Sequence, residues 1–115
     1  MAKSIKVVNI KADMPLVDEA RRRLIEELKS ARAEGYSVVK LIHGYGSTGV
    51  GGALRTALRA SLARRRKEGA IRLYVYGEKW DVFEPATRDL LEACPELKND
   101  RDIGQSNQGV TIILL

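Results

Sequence analysis

A glycine-rich segment lies where an apolar strand is predicted to pass into a helix. Five of the ten glycines fall between His43 and Gly52. Glycines let backbone amides approach a ligand without a Cβ in the way, and the first turn of a helix presents unpaired N–H groups and partial positive charge. This combination predicts a phosphate site, although a tight turn that only needs positive φ is the alternative. The candidate binding residues are Gly44, Tyr45, Gly46, Ser47, Thr48 and Gly49.

The spacing of three of these glycines matches a known nucleotide-binding pattern. Gly44-x-Gly46-x-x-Gly49 follows a predicted strand and opens a helix, and Glu78 follows the next predicted strand, as the dinucleotide motif requires. A chain of 115 residues holds too few strands for the full doubly wound fold. The segment also lacks the Gly-Lys-Ser/Thr of a P-loop. A small domain that binds a nucleotide or another phosphate ligand stays open as an alternative.

The single histidine, His43, directly precedes the glycines. Imidazole titrates near neutral pH, so His43 could contact a phosphate or transfer a proton as an acid or base. The other interpretation is a histidine that hydrogen-bonds its own loop. The residue type and position do not separate the two. Asp13 is the nearest candidate carboxylate for the same chemistry.

The helix predicted after the glycines, at about 53–67, is strongly basic. Arg55 and Arg59 are spaced to share one face near the loop, where phosphate contacts would need positive charge. A solvated face explains the cations at 64–67, because positive charges interact favourably with the C-terminal end of the helix dipole. It does not explain Arg55, because a cation near the helix N-terminus opposes the dipole. The net charge of +5 and the pI of about 9.6 are typical of a partner of polyanions.

Composition narrows the class of protein. The length and the 44% hydrophobic content predict one globular domain, 1–115. With only Cys94 and His43, the chain can form neither a disulfide framework nor a His/Cys metal cage, while a carboxylate site for Mg²⁺ stays open. The N-terminus lacks the apolar run of a signal peptide, and no apolar run could span a bilayer. We therefore expect a soluble, cytoplasmic protein without a membrane partner.

Hydrophobic periodicity predicts an α/β fold, a two-layer α+β sandwich. Asp13 is a candidate cap for the first helix, and Gly35 is expected to end that helix. We expect a four-stranded mixed sheet in which the first three strands are parallel and the last is antiparallel, with two main helices on one face. The predicted strands are 5–10, 37–42, 71–76 and 109–115; a third helix lies within 80–95, and 98–108 reads as an exposed loop.

Three stretches resemble the Smr (small MutS-related) domain family. The sequence Val-Lys-Leu-Ile-His-Gly-Tyr-Gly at 39–46 is similar to the second motif of that family. The residues Val-Asp-Glu-Ala at 17–20, with Leu24 and Leu28, resemble its first helix, and the ending Gly-Val-Thr-Ile at 109–112 resembles its last strand. The resemblance implies a fold like the C-terminal domain of bacterial translation initiation factor 3. It also implies nucleic-acid binding, often with DNA-nicking or RNA-cleaving activity.

The first motif of the family is altered. Asn9 stands where the family has a carboxylate, Lys11 where it has histidine or arginine, and Tyr45 where lysine is common. Asn9 cannot act as a general base, whereas Lys11 can still bind a phosphate. The sequence therefore predicts a DNA- or RNA-binding domain with at most slow hydrolysis of a phosphodiester. A module that docks on the ribosome or on a protein is a further alternative.

Overall fold

The computed structural model describes residues 3–10, 16–44 and 49–115. Its seven main elements alternate in the predicted order, and two short 3₁₀ turns, Gly77–Lys79 and Pro95–Asn99, flank the third helix. The elements are β1 (Lys3–Asn9), α1 (Val17–Ala33), β2 (Tyr36–Ile42), α2 (Gly49–Lys67), β3 (Leu73–Tyr76), α3 (Pro85–Ala93) and β4 (Val110–Leu114).

The sheet is mixed and has the strand order β1-β2-β4-β3. β1 pairs in parallel with β2, while β4 lies between β2 and β3 and is antiparallel to both. β1, β2 and β3 therefore run in the same direction, as the two strand-helix-strand crossovers predicted. Their C-terminal ends meet at one edge of the sheet, where β4 begins.

One face of the sheet is covered by α1 and α2. Alternate residues of β2, Val39 and Leu41, point to this face because side chains alternate along a strand. They pack against the apolar stripes of the two helices, whose members recur at helical spacing. The buried helix residues of this cluster are Ala20, Leu24, Leu28, Ala31, Leu54, Leu58 and Leu62. The prediction of both main helices on one face is confirmed.

The opposite face is covered by α3 and by the 3₁₀ turn at 95–99. Val38 and Ile112 point to this side and pack with Trp80, Leu90 and Leu97. Trp80 is completely buried and donates its indole Nε1–H to Asp100 at 3.0 Å. This second core lies against β2, β4 and β3, and Ile5 of β1 packs at its margin.

The segment 98–108 is not the simple exposed loop that its polarity predicted. Asp100 and Asp102 turn inward and accept hydrogen bonds from Lys40 Nζ at 2.7 and 2.5 Å. Lys40 lies in the middle of β2 and is buried, so its ammonium group needs these anions. Ion pairing therefore attaches this segment to the sheet.

Helix boundaries differ from expectation in two places. α1 begins at Val17, with Leu16 at the N-cap position and no side-chain cap hydrogen bond. Asp13, the predicted cap, lies outside the described residues. α2 begins at Gly49, four residues earlier than predicted, which brings part of the glycine-rich segment into the first turn. None of the helices in the described ranges is long and apolar enough to cross a membrane.

Candidate functional site

The predicted binding elements meet at the edge of the sheet where the parallel strands end. Asn9 ends β1 and lies in register with Ile42, the last residue of β2. His43 and Gly44 follow directly, and α2 starts beyond the glycine-rich segment. Glu78 follows β3 at the same edge. Open α/β sheets commonly bind ligands at the carboxyl ends of their strands.

Backbone hydrogen bonds hold the start of the glycine-rich segment against β4. The N–H groups of His43 and Gly44 both donate to the carbonyl of Gly109, at 2.9 and 3.1 Å. Gly109 donates its own N–H to Asn107 Oδ1 at 2.9 Å, and Asn107 Nδ2 donates to Asp102. A Cβ at Gly109 would come within 3.3 Å of the Gly44 carbonyl carbon, so this close approach favours glycine. Through Gly109, the segment 98–108 thus positions His43 and Gly44.

The imidazole of His43 is buried and both of its nitrogens have partners. Nδ1 lies 3.0 Å from the Gly44 carbonyl, and Nε2 lies 3.0 Å from the Thr111 hydroxyl. A carbonyl only accepts, so Nδ1 must carry the proton and the Thr111 hydroxyl donates to Nε2. This is the loop-bonding arrangement that the sequence left open. In this arrangement neither nitrogen is available to a substrate, and a catalytic role for His43 stays a prediction.

The surroundings of His43 disfavour its protonated form. Burial lowers the pKa of His43 below its usual value of 6.5. The hydrogen bond to Gly44 opposes this change, while the positive charges of Arg59 and Arg55 lower the pKa further and Glu78 raises it. His43 is therefore neutral at physiological pH.

This pKa predicts an acid sensitivity that one substitution removes. Below pH 6.5 the unfolded chain binds a proton at His43 more readily than the folded chain does. The free energy of unfolding should therefore fall between pH 7.5 and 5.5, by at most about 1.4 kcal/mol per unit of pKa difference. Denaturant unfolding of His43→Gln across this range should show a flatter dependence. Equal slopes in both proteins would contradict the prediction, since the chain has one histidine.

Two arginines of α2 face the same edge, in different environments. Arg55 donates from Nη1 to Gln108 Oε1 at 2.8 Å on the exposed surface. Arg59 is more enclosed: it donates from Nη2 to Glu78 Oε1 at 2.7 Å, and its guanidinium lies 3.9 Å from the ring centroid of Tyr76. Cation–π contact and ion pairing together fix the position of Arg59. Arg55 is consequently the more accessible cation.

Glu78 is a member of this cluster that the sequence identified only as a candidate for the dinucleotide pattern. Burial raises the pKa of Glu78, but hydrogen bonding and charge from Arg59 and the charge of Arg55 outweigh it, so the pKa lies below its usual value. Glu78 is therefore ionised and partly neutralises the arginines. Gln108 and Asn107 were also missed. A polar residue directly before a strand that begins at the site is the signal that could have found them.

The described residues contain half of the sequence-predicted site. The structure brings together Asn9, His43 and Gly44, places Gly49 at the start of α2, and sets Arg55 and Arg59 beside them. Six predicted residues lie outside the described residues: Lys11, Asp13, Tyr45, Gly46, Ser47 and Thr48. Within the ranges the structure describes, no three His, Cys, Asp or Glu side chains come together as metal ligands would.

Comparison with known proteins identifies the fold. The family model described as the Smr domain matches residues 15–80, which is more than half of the chain. The crystal structure of the Smr domain of Thermus thermophilus MutS2 is similar to this one, with a TM-score of 0.54 and 23% sequence identity. That likeness covers 97% of this chain and 96% of the other, so it also includes α3 and β4. No curated protein sequence matches.

Proposed function

The chain belongs to the Smr domain family, known for nucleic-acid binding and nicking activity, and on this premise we propose that it binds DNA or RNA through its loop edge. The observation that carries the proposal is that Arg55 and Arg59 both lie at this edge: Arg55 donates to Gln108, just before β4, and Arg59 donates to Glu78, just after β3. Two cations therefore accompany the start of the glycine-rich segment and the N-terminus of α2. Phosphates are attracted by both the charges and the helix terminus.

The first turn of α2 supports the same proposal, because no acidic residue lies there to repel a phosphate. The four cations of the last turn, Arg64 to Lys67, lie at the other end of the helix, where the helix dipole already explains them. Neutralising phosphates releases counterions, so binding should weaken as salt is added. A mononucleotide pocket would instead show saturable binding of free nucleotides with a weaker salt dependence. A ribosome-docking module would co-sediment with ribosomes without binding free oligonucleotides.

Alanine substitutions should separate the contributions of the arginines. Arg55→Ala/Arg59→Ala should weaken binding of all sequences and flatten the salt slope by about one to two units. Arg55→Ala alone should produce most of the change, because Glu78 already neutralises part of the charge of Arg59. Glu78→Gln should strengthen binding, since it removes the anion from the cluster. Fluorescence anisotropy with labelled DNA and RNA at several salt concentrations measures these effects.

Arg64→Ala is the matched control for this series. It removes the same charge from the same helix roughly 14 Å further along the axis, at an exposed position. We expect Arg64→Ala to leave the salt slope nearly unchanged. If the double variant binds as the natural protein does at low salt, the arginines belong to a solvated face and the proposal fails.

A further inference from the structure

A groove runs along the sheet face opposite α1 and α2, over β1. Its volume is about 850 Å³, and its floor includes Ile5 and Val7 of β1 and Ile42 of β2. The segment that ends in Gly109 forms its wall. Gly44 lines the end of the groove at the C-terminal edge of the sheet, so the groove opens where the glycine-rich segment begins.

The floor of the groove is apolar and accessible. Val7 is 59% exposed although it lies in a strand, and it is one of few large apolar side chains of the described residues with this exposure. Ile5 is only partly buried, at the margin of the second core. A ligand with a flat apolar face would cover this surface and remove it from water.

The charges that line the groove disfavour a phosphate there. Three carboxylates and two cations contribute to the lining. Asp100 and Asp102 are paired with Lys40, and Glu96 accepts a hydrogen bond from Ser4 at 2.8 Å. An anionic ligand would meet a slight excess of negative charge. The groove therefore suits a neutral group, in contrast to the basic face of α2.

Neutral amide groups surround the apolar floor. Asn9, Asn99 and Asn107 line the groove, and so do the backbones of Gly44 and Gly109. Amides both donate and accept, as the edges of nucleobases do. Bases of single strands can turn out of the stack and present both an edge and a face to protein, whereas the bases of a duplex cannot.

We propose that this groove holds an unpaired base of a single-stranded nucleic acid, with a neighbouring phosphate beside Gly44, on the side of Arg55. The inference rests on the proposed function and specifies its substrate as a strand with unpaired bases. Gly44 connects the two subsites, because it lines the groove and begins the predicted phosphate loop. The apolar floor contacts the base, and the amides contact its edge.

Removing the bases while keeping the phosphates provides the test. One labelled oligonucleotide carries bases, and a matched oligomer of the same length and charge is abasic throughout. The natural protein should bind the first about five-fold more tightly or better, at the lower end of the effect of one well-packed base. It should also prefer the single strand to its paired duplex.

Two valines of similar exposure allow a matched substitution. Val7→Gln replaces apolar floor by a longer amide and should abolish the preference for bases while leaving abasic binding within two-fold. Val82→Gln makes the same change at a 53% exposed position on the turn before α3 that is not part of the groove lining, and should keep the preference. If Val7→Gln does not fold, Val7→Thr, which keeps the β-branched shape, carries the test.

The outcomes distinguish the two proposals. Equal binding of the two oligonucleotides, with a salt slope that depends on Arg55, would overturn the base site and leave the proposed function standing. Equal loss of base preference in Val7→Gln and Val82→Gln would also overturn the base site. No binding of any oligonucleotide would overturn both, and saturable binding of an unstructured peptide that Val7→Gln abolishes would then assign the groove to a protein partner.

Discussion

Lys40→Met is expected to destabilise the protein by about 3 kcal/mol at pH 7. Lys40 Nζ lies 2.7 Å from Asp100 Oδ1 and 2.5 Å from Asp102 Oδ2. The Lys40 side chain is only 9% exposed, and each aspartate side chain is 13% exposed. Without the ammonium group, two adjacent carboxylates remain largely desolvated and have no positive charge beside them. Urea or guanidinium unfolding followed by circular dichroism measures the difference.

The destabilisation should depend on pH. Burial lowers the pKa of Lys40, but the hydrogen bonds and charges of the two carboxylates outweigh it and hold the pKa above its usual value. Burial likewise raises the pKa of Asp102, yet bonding to Lys40 and Asn107 lowers it overall. A lowered carboxyl pKa stabilises the fold above about pH 4 and loses that contribution as the pH falls through the folded-state pKa. The effect of Lys40→Met should therefore shrink on acidification.

Two further variants test the cause. Lys29→Met makes the same change at an exposed position of α1 and should alter the free energy of unfolding by less than about 0.5 kcal/mol. Combining Lys40→Met with Asp100→Asn and Asp102→Asn should recover much of the loss, because no buried charge is then left unpaired. A Lys40→Met protein as stable as the natural one at pH 7 would mean that solvent screens these carboxylates.

The sequence alone predicted the layers of this fold because each layer is encoded locally. Leu24 and Leu28, like Leu54 and Leu58, recur at helical spacing, and all four are buried against the same sheet face. The second predicted strand is more continuously apolar than the first, which is typical of a central strand, and β2 does lie inside the sheet. Crossover connections fixed the parallel direction of β1, β2 and β3.

Long-range pairing was not accessible in the same way. The periodicity of 109–115 does not predict that β4 lies between β2 and β3, because contacts between distant segments decide which strands are neighbours in a sheet. Lys40 interrupts the apolar run of β2 and needs an anion beside it, but the neighbouring sequence does not identify that anion. Asp100 and Asp102 lie 60 and 62 residues further along the chain.

The candidate site shows the same limit. The glycine spacing and the basic helix predicted which segments form the candidate site, and in the structure β2 leads into His43 while Arg55 and Arg59 contact residues at the same edge of the sheet. The partners that define their chemistry come from elsewhere in the chain: Thr111 from β4, Gln108 before it and Glu78 after β3. Thr111 and Gln108 are single polar residues that no spacing marked, and only the dinucleotide pattern pointed to Glu78.

Any cleavage of a phosphodiester by the natural sequence should be slow, and Asn9→Asp should raise its rate by at least about ten-fold. Asn9 ends β1 in register with the end of β2, where the Smr family has a carboxylate. An amide cannot take up a proton as a general base, and a positioned acid or base contributes roughly 10²–10⁴ in rate. Incubation with supercoiled plasmid and with labelled RNA, each with and without Mg²⁺, measures the activity.

His43 supplies the complementary test of this reaction. To transfer a proton, its ring must exchange the bond to Gly44 or Thr111 for one to the substrate. His43→Ala should then abolish residual cleavage but retain most oligonucleotide binding, because binding rests on several cations and amides. Thr111→Val is the matched structural variant: it removes the partner of Nε2 without removing the imidazole, so cleavage should persist if the histidine acts directly. Robust turnover that survives His43→Ala, or a folded Asn9→Asp protein with no gain in rate, would contradict this assignment.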